Sequence, residues 1–115
     1  MRILVCGGRN YADREAVFRA LDEVCIDNPD CAVTVIQGGA DGADALAREW
    51  CNARAIPCLN VPADWKAHGR AAGPLRNQRM LTYKPHLVIA FPGGRGTADM
   101  VRRAEIAGIE VRKPT

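Results

Sequence analysis

Five short apolar segments, RILVC (2–6), AVTVIQ (32–37), IPCLNV (56–61), HLVIAF (86–91) and IEVR (109–112), recur along the chain with room for a helix between neighbours. Most are continuous apolar runs rather than apolar–polar alternations. That pattern belongs to strands covered on both faces, as in parallel sheets, and not to a sheet with one wet side. The intervening stretches carry apolar residues at helical spacing: Val17, Leu21, Val24 and Cys25; Ala43, Leu46, Ala47 and Trp50; Met100, Val101, Ala104 and Ala107.

The order β-α-β-α-β-α-β-α-β predicts an α/β fold: a Rossmann-like, doubly wound parallel sheet of about five strands flanked by helices. With 115 residues, the chain holds one core, so residues 1–115 are read as a single nucleotide-binding domain without linker or internal repeat. In such folds a ligand lies beyond the carboxyl ends of the strands. Gly7 and Gly8 follow the first strand, Gly38 and Gly39 the second, and Pro92, Gly93, Gly94 and Gly96 the fourth. All three glycine clusters are therefore expected on one rim. There, absent side chains let backbone N–H groups approach a ligand, and the start of a helix favours an anion. Thr97 is placed as the N-cap of the helix after the fourth strand, with a hydroxyl able to turn instead to a phosphate oxygen.

The formal charge of +3 is spread along the chain without a basic block, which fits an anionic small molecule better than a nucleic acid. Cys6, Cys25, Cys31, Cys51 and Cys58 are odd in number and contain no CxxC pair, so neither a disulfide framework nor a zinc site is expected, and a reducing cytoplasm fits. The apolar start MRILVCGG is too short for a signal sequence or membrane span. No cofactor or metal is expected.

The segment FPGGRGTAD (91–99) contains PGGRGT, which resembles the PGGxGT signature of the SLOG superfamily. That superfamily includes the Lonely Guy phosphoribohydrolases and DNA-processing protein A. GGRNYAD (7–13), GGADGADALAREW (38–50), PADWKAHGRAAGPLRNQRM (62–80) and AFPGGRGTADMVRRAEIAGI extend the resemblance to the YspA-type, cpYpsA-related branch over nearly the whole chain. The resemblance implies a compact domain for a nucleotide or nucleotide-derived ligand. It also implies a homo-oligomer, because Lonely Guy sites are completed across a dimer.

In RNQRM, similar to the RKxxM-like helix of the Lonely Guy enzymes, Arg76 and Met80 match and Asn77 replaces Lys. Arg76 thereby inherits the grip on a phosphate or ribose, with Asn77 beside it. The Glu that closes their PGGxGTxxE is matched by Met100, which cannot transfer a proton; the nearest acid is Asp99. One residue turns a helical side chain by about 100°. Asp99 is thus read either as a catalytic partner of Arg76 or as a first-turn acid favoured by the helix dipole. Asp44 matches an acid of the superfamily after the second strand, with a ribose hydroxyl or its own helix N-terminus as alternative partners.

Arg9, beside Gly7 and Gly8, is expected to meet a diphosphate or a base, and Asp13 to cap the first helix. Residues 62–73 are expected to be loop-like, forming a lid with Trp65, His68 and Arg70, before a helix starting near Pro74. Trp50 and Cys6 are assigned to the core, and Arg102 and Arg103 to a solvated face. Three functions follow. The foremost is a sensor or sequestering module for a nucleotide derivative such as AMP, NAD or ADP-ribose and its cyclic relatives. The alternatives are an N-glycosidic hydrolase using Arg76 and Asp99, and a single-stranded nucleic-acid binder.

Overall fold

The computed structural model describes residues 1–114. Five strands, β1 (Arg2–Cys6), β2 (Thr34–Gln37), β3 (Cys58–Asn60), β4 (Leu87–Ala90) and β5 (Glu110–Arg112), form one sheet. Their order is β3-β2-β1-β4-β5, and every pairing is parallel. The helices are α1 (Arg14–Asp27), α2 (Ala43–Arg54), α3 (Trp65–His68), α4 (Ala72–Leu81) and α5 (Arg95–Ile106). This is the expected Rossmann-like architecture, with every strand limit within two residues of its apolar run.

Alternate residues of the central strands serve opposite cores. Ile3, Val5, Leu87 and Ile89 pack with Val17, Leu21 and Trp50 beneath α1 and α2. Leu4, Val88 and Ala90 pack with Met80, Met100 and Ala104 beneath α4 and α5. That two-sided burial explains why β4 reads LVIA, with all four residues buried.

Local chemistry sets the helix ends. Asp13 caps α1 as expected, its Oδ1 accepting from Ala16 N at 3.0 Å. Trp50, 1% exposed, donates its indole N–H to Asp22 Oδ1 at 2.9 Å, which ties α2 to α1.

Residues 62–73 depart from the expected loop. Asp64 Oδ1 accepts from Ala67 N at 3.1 Å and starts α3, a 3₁₀ turn spans Gly69–Ala71, and α4 begins at Ala72. Pro74 lies within the first turn of α4, where its missing N–H costs no helical bond. The segment has no long apolar periodicity because α3 is only one turn and buries no residue.

Where β1 is flanked by β2 on one side and β4 on the other, the chain direction of the connections reverses. A crevice opens between the loops that leave β1 and β4. Cys6 pairs in register with Ala90, so these loops leave the sheet side by side. Phe91 N donates to Cys6 O at 2.9 Å and Gly8 N to Pro92 O at 2.9 Å.

Candidate functional site

The three glycine clusters do different work at this rim. Gly7, Gly8 and Gly93 are packing glycines: a Cβ on Gly7 would stand 2.6 Å from Ala43 Cβ, and one on Gly8 would stand 3.0 Å from Pro92 O. A Cβ on Gly93 would strike Thr97 Oγ1. They let two loops and the start of α2 share one small volume. In the second cluster, a side chain on Gly38 would collide with the Arg76 guanidinium, and one on Gly39 with Asn60.

Gly94 and Gly96 differ, because a Cβ on either would meet nothing within 4 Å. Neither has a positive φ, so neither the fold's packing nor its backbone conformation requires glycine there. What their missing side chains do is leave the start of α5 bare. Gly94 is the N-cap residue and no side chain caps this end. Thr97 is not the N-cap as expected but lies inside the first turn, since the helix begins at Arg95 with Gly94 as its N-cap. Among the described residues no protein group accepts from the N–H of Arg95, Gly96 or Thr97. Such free donors and the helix dipole favour negative charge at this end.

The start of α2 is partly occupied by the protein itself. Gly42 is its N-cap at φ 68°, and Ala43 N donates to Gly8 O at 3.1 Å. Asp44 Oδ2 accepts from Ala40 N at 3.3 Å. Burial raises the Asp44 carboxyl above its usual range, against the backbone N–H groups of Ala40 and Gly38 and the guanidiniums of Arg76 and Arg48. The Ala43 N–H is therefore not open to a phosphate.

The bare end of α5 opens on a cleft of about 860 Å³. Its floor includes Cys6, and burial, with Asp44 adding to it, pushes that thiol up to about 12. Cys6 is therefore a neutral packing residue, not a nucleophile. The glycine loop after β1 and Arg9 form one wall; Gly94, Gly96, Thr97 and Asp99 form another. Trp65 comes from α3, Arg70 from the 3₁₀ turn, and Arg76 and Asn77 from α4. The Arg9 guanidinium lies 5.3 Å from the centroid of the Trp65 ring, which is half exposed.

Arg76 is the central cation. Its Nη1 donates to Gly38 O at 3.0 Å and its Nε to Asn77 Oδ1 at 3.0 Å, leaving Nη2 unengaged. Burial lowers its pKa, Asp44 opposes that, and the guanidiniums of Arg9 and Arg79 lower it further. A half-buried guanidinium facing a second one is relieved by an anion between them.

Asp99 is linked to Arg76 through Asn77, and it is fully engaged. Oδ2 accepts from Asn77 Nδ2 at 3.0 Å and Arg103 Nε at 2.8 Å, and Oδ1 accepts from Arg102 Nη2 at 2.8 Å. Partial burial pushes its carboxyl up, but the bonds from Asn77, Arg103 and Arg102 outweigh this and hold it below the usual carboxylate range. Met100, at the position of the Lonely Guy Glu, faces the opposite way and is fully buried in the core.

Of the residues read from the sequence, Gly7, Gly8, Arg9, Asp44, Arg76, Asn77, Gly94, Gly96, Thr97 and Asp99 share the cleft. Gly38 and Gly39 lie behind Arg76 and Asn60, while Pro92 and Gly93 border a separate shallow depression. Arg102 stands on a solvated face as expected and Arg103 is partly exposed; both also hold Asp99, and Arg102 lines the cleft. Their signal was legible, since they stand three and four residues after an acid on a helix. Arg95 also reaches the cleft and had no marker beyond lying within the glycine turn. Among the described residues there is no metal-binding cluster and no helix long and apolar enough to cross a membrane.

A parallel sheet in the order 3-2-1-4-5, with an uncapped helix opening on a cationic cleft at its switch point, is a Rossmann-like domain whose architecture fits a nucleotide-related function. The chain belongs to the YspA, cpYpsA-related SLOG family, whose model matches residues 1–68. It is 38% identical over 117 residues to the Gene 61 protein of Mycobacterium phage D29, covering 96% of this chain and 93% of that protein. Its fold is similar to the crystal structure of TM1055, with a TM-score of 0.74 at 18% identity, covering 96% of this chain and 71% of that one.

Proposed function

We propose that this domain binds a nucleotide-derived small molecule, such as AMP, NAD or ADP-ribose and its cyclic relatives, as a sensor or sequestering module. The observation that carries this reading is the bare start of α5. Gly94 and Gly96 have no steric reason to lack a side chain, and the N–H groups they leave open face a cleft that Arg9, Arg70, Arg76, Arg95 and Arg102 also line. A phosphate at the α5 N-terminus would accept from the N–H groups of Arg95, Gly96 and Thr97 and from the free edge of Arg76. The cleft volume of about 860 Å³ suits a mononucleotide or dinucleotide. Trp65 and Arg9 supply a flat, polarisable wall for a base.

A second reading, cleavage of an N-glycosidic bond, is supported by Asp99, a carboxylate within the cleft and near Arg76. Its three donors keep it ionised, which suits stabilising a positively charged ribose and does not suit donating a proton to the leaving base. Binding without turnover is the reading the charge pattern supports best.

Incubating the purified protein with AMP, NAD, ADP-ribose and cyclic ADP-ribose, followed by mass spectrometry, separates the two. The binding reading predicts an intact ligand retained by the protein. Released base that depends on Arg76 and Asp99 would replace it with the hydrolase. Retention of none of the four would remove this ligand class.

A further inference from the structure

On the outer side of the glycine turn, between α5 and the end of β5, lies the shallow depression that Pro92 and Gly93 border, with a volume of about 380 Å³. Pro92, Ala98 and Val101 supply apolar lining; Arg102, Glu105 and Lys113 supply charge. The depression adjoins the cleft, because Gly94, Thr97, Ala98 and Arg102 line both. These four residues make a ridge along the first half of α5. The ridge is low at Gly94, which has no side chain, and at Ala98, which has only a methyl group. Nothing in the protein fills the space above Gly94, where a Cβ would meet no atom within 4 Å.

The two sides of the ridge differ in chemistry. On the cleft side stand the open N–H groups of Arg95, Gly96 and Thr97, together with Arg76. On the outer side, Glu105 and Lys113 are exposed, and among the described residues neither side chain makes a hydrogen bond or ion pair. Arg102 stands three residues before Glu105 on the helix, yet it donates to Asp99 Oδ1 at 2.8 Å instead. Glu105 is thus left as an uncommitted acceptor. A carboxylate repels a phosphate and suits paired hydroxyl groups, which donate to its two oxygens. Arg102 and Lys113 suit a phosphate at the near end of the depression.

Resting on the reading of the cleft as a nucleotide site, we propose that the ligand is a nucleoside diphosphate esterified to a second sugar and laid across this ridge. The nucleoside occupies the cleft against Trp65, and the diphosphate crosses the start of α5. The second sugar enters the depression with its vicinal hydroxyls on Glu105. A mononucleotide reaches only one of the two hollows, whereas the outer one falls within the range of small-molecule pockets, roughly 300–1,000 Å³.

The test is calorimetry of the intact protein with AMP, ADP and ADP-ribose, together with amide NMR of the labelled protein. ADP-ribose should bind about tenfold more tightly than ADP, the order of one hydrogen bond to a charged group. AMP should shift the amides of Arg95, Gly96 and Thr97, and ADP-ribose should shift those of Glu105 and Lys113 as well. Glu105→Gln, at an exposed position, should remove most of the preference for ADP-ribose over ADP. If AMP binds but ADP-ribose binds no more tightly than ADP, or leaves Glu105 and Lys113 unshifted, the second subsite is overturned while the nucleotide reading stands. An undiminished preference in Glu105→Gln would overturn the contact to the sugar. Binding of none of the three would overturn the nucleotide reading and this proposal with it.

Discussion

Asn77 Nδ2 donates to Asp99 Oδ2 at 3.0 Å and to Gly96 O at 3.1 Å, while Asn77 Oδ1 accepts from Arg76 Nε at 3.0 Å. One amide, 2% exposed, thus orients the central cation, the cleft acid and the first turn of α5 together. Truncating it strands several buried groups. Asn77→Ala is expected to cost about 1–3 kcal/mol and to lower the melting temperature by roughly 5–15 °C. A thermal melt checks this, and an unchanged midpoint would mean that the three elements hold one another without the amide.

The two cleft acids carry opposite pH signatures. Asp99 is held below its unfolded value, so its contribution to stability is present above the ordinary carboxylate range and is lost as pH falls through the folded pKa. Asp44 is held above its unfolded value, so its ionised form weakens the fold at neutral pH, and that weakening disappears as pH falls to the ordinary carboxylate range. Relative to the native protein, Asp99→Asn should become less destabilising from pH 7 toward pH 3. Asp44→Asn should lose its relative advantage over the same interval. Urea titrations at both pH values measure the slopes, and parallel slopes for the two variants would refute the assignment.

Glycine substitutions separate packing from ligand approach. Gly96→Ala adds a methyl group to open space within a helix and should stabilise the fold by about 0.5–1 kcal/mol, yet weaken a bound phosphate. Gly42→Ala should instead lower stability, because Gly42 has φ 68° and its Cβ would meet Gly8 O. Paired melts and AMP titrations read both effects. Equal AMP affinity in Gly96→Ala would move the phosphate away from α5.

Arg76→Ala should weaken an anionic ligand about tenfold or more, through loss of a charge-assisted contact. Arg76→Lys keeps the charge but not the planar fork that joins Gly38 O to Asn77, and should recover only part of the affinity. Calorimetry with AMP distinguishes them, and full recovery by lysine would mean that charge alone matters.

How far the sequence alone carries these conclusions varies by element. The continuous apolar runs around Ile3–Val5 and Leu87–Ala90 announce a sheet covered on both sides, because two-sided burial leaves a one-dimensional trace. The turn at Gly94–Thr97 is legible for a similar reason, but the start of α5 is not, since two glycines admit the helix before the threonine. Helix α3 stays hidden because one exposed turn, held by Asp64, buries nothing that could show periodicity. The engagement of Asp99 by Asn77 joins residues 22 positions apart. Equally, the bond from Ala43 N to Gly8 O at the start of α2 depends on how two loops meet at the switch point.

The most direct measurement is an amide NMR titration of the uniformly labelled protein with AMP. The account predicts saturable shifts largest at Arg95, Gly96 and Thr97, with smaller ones around Arg76. Shifts centred on Gly39–Asp44, or none at millimolar AMP, would contradict the placement of an anion at the open end of α5.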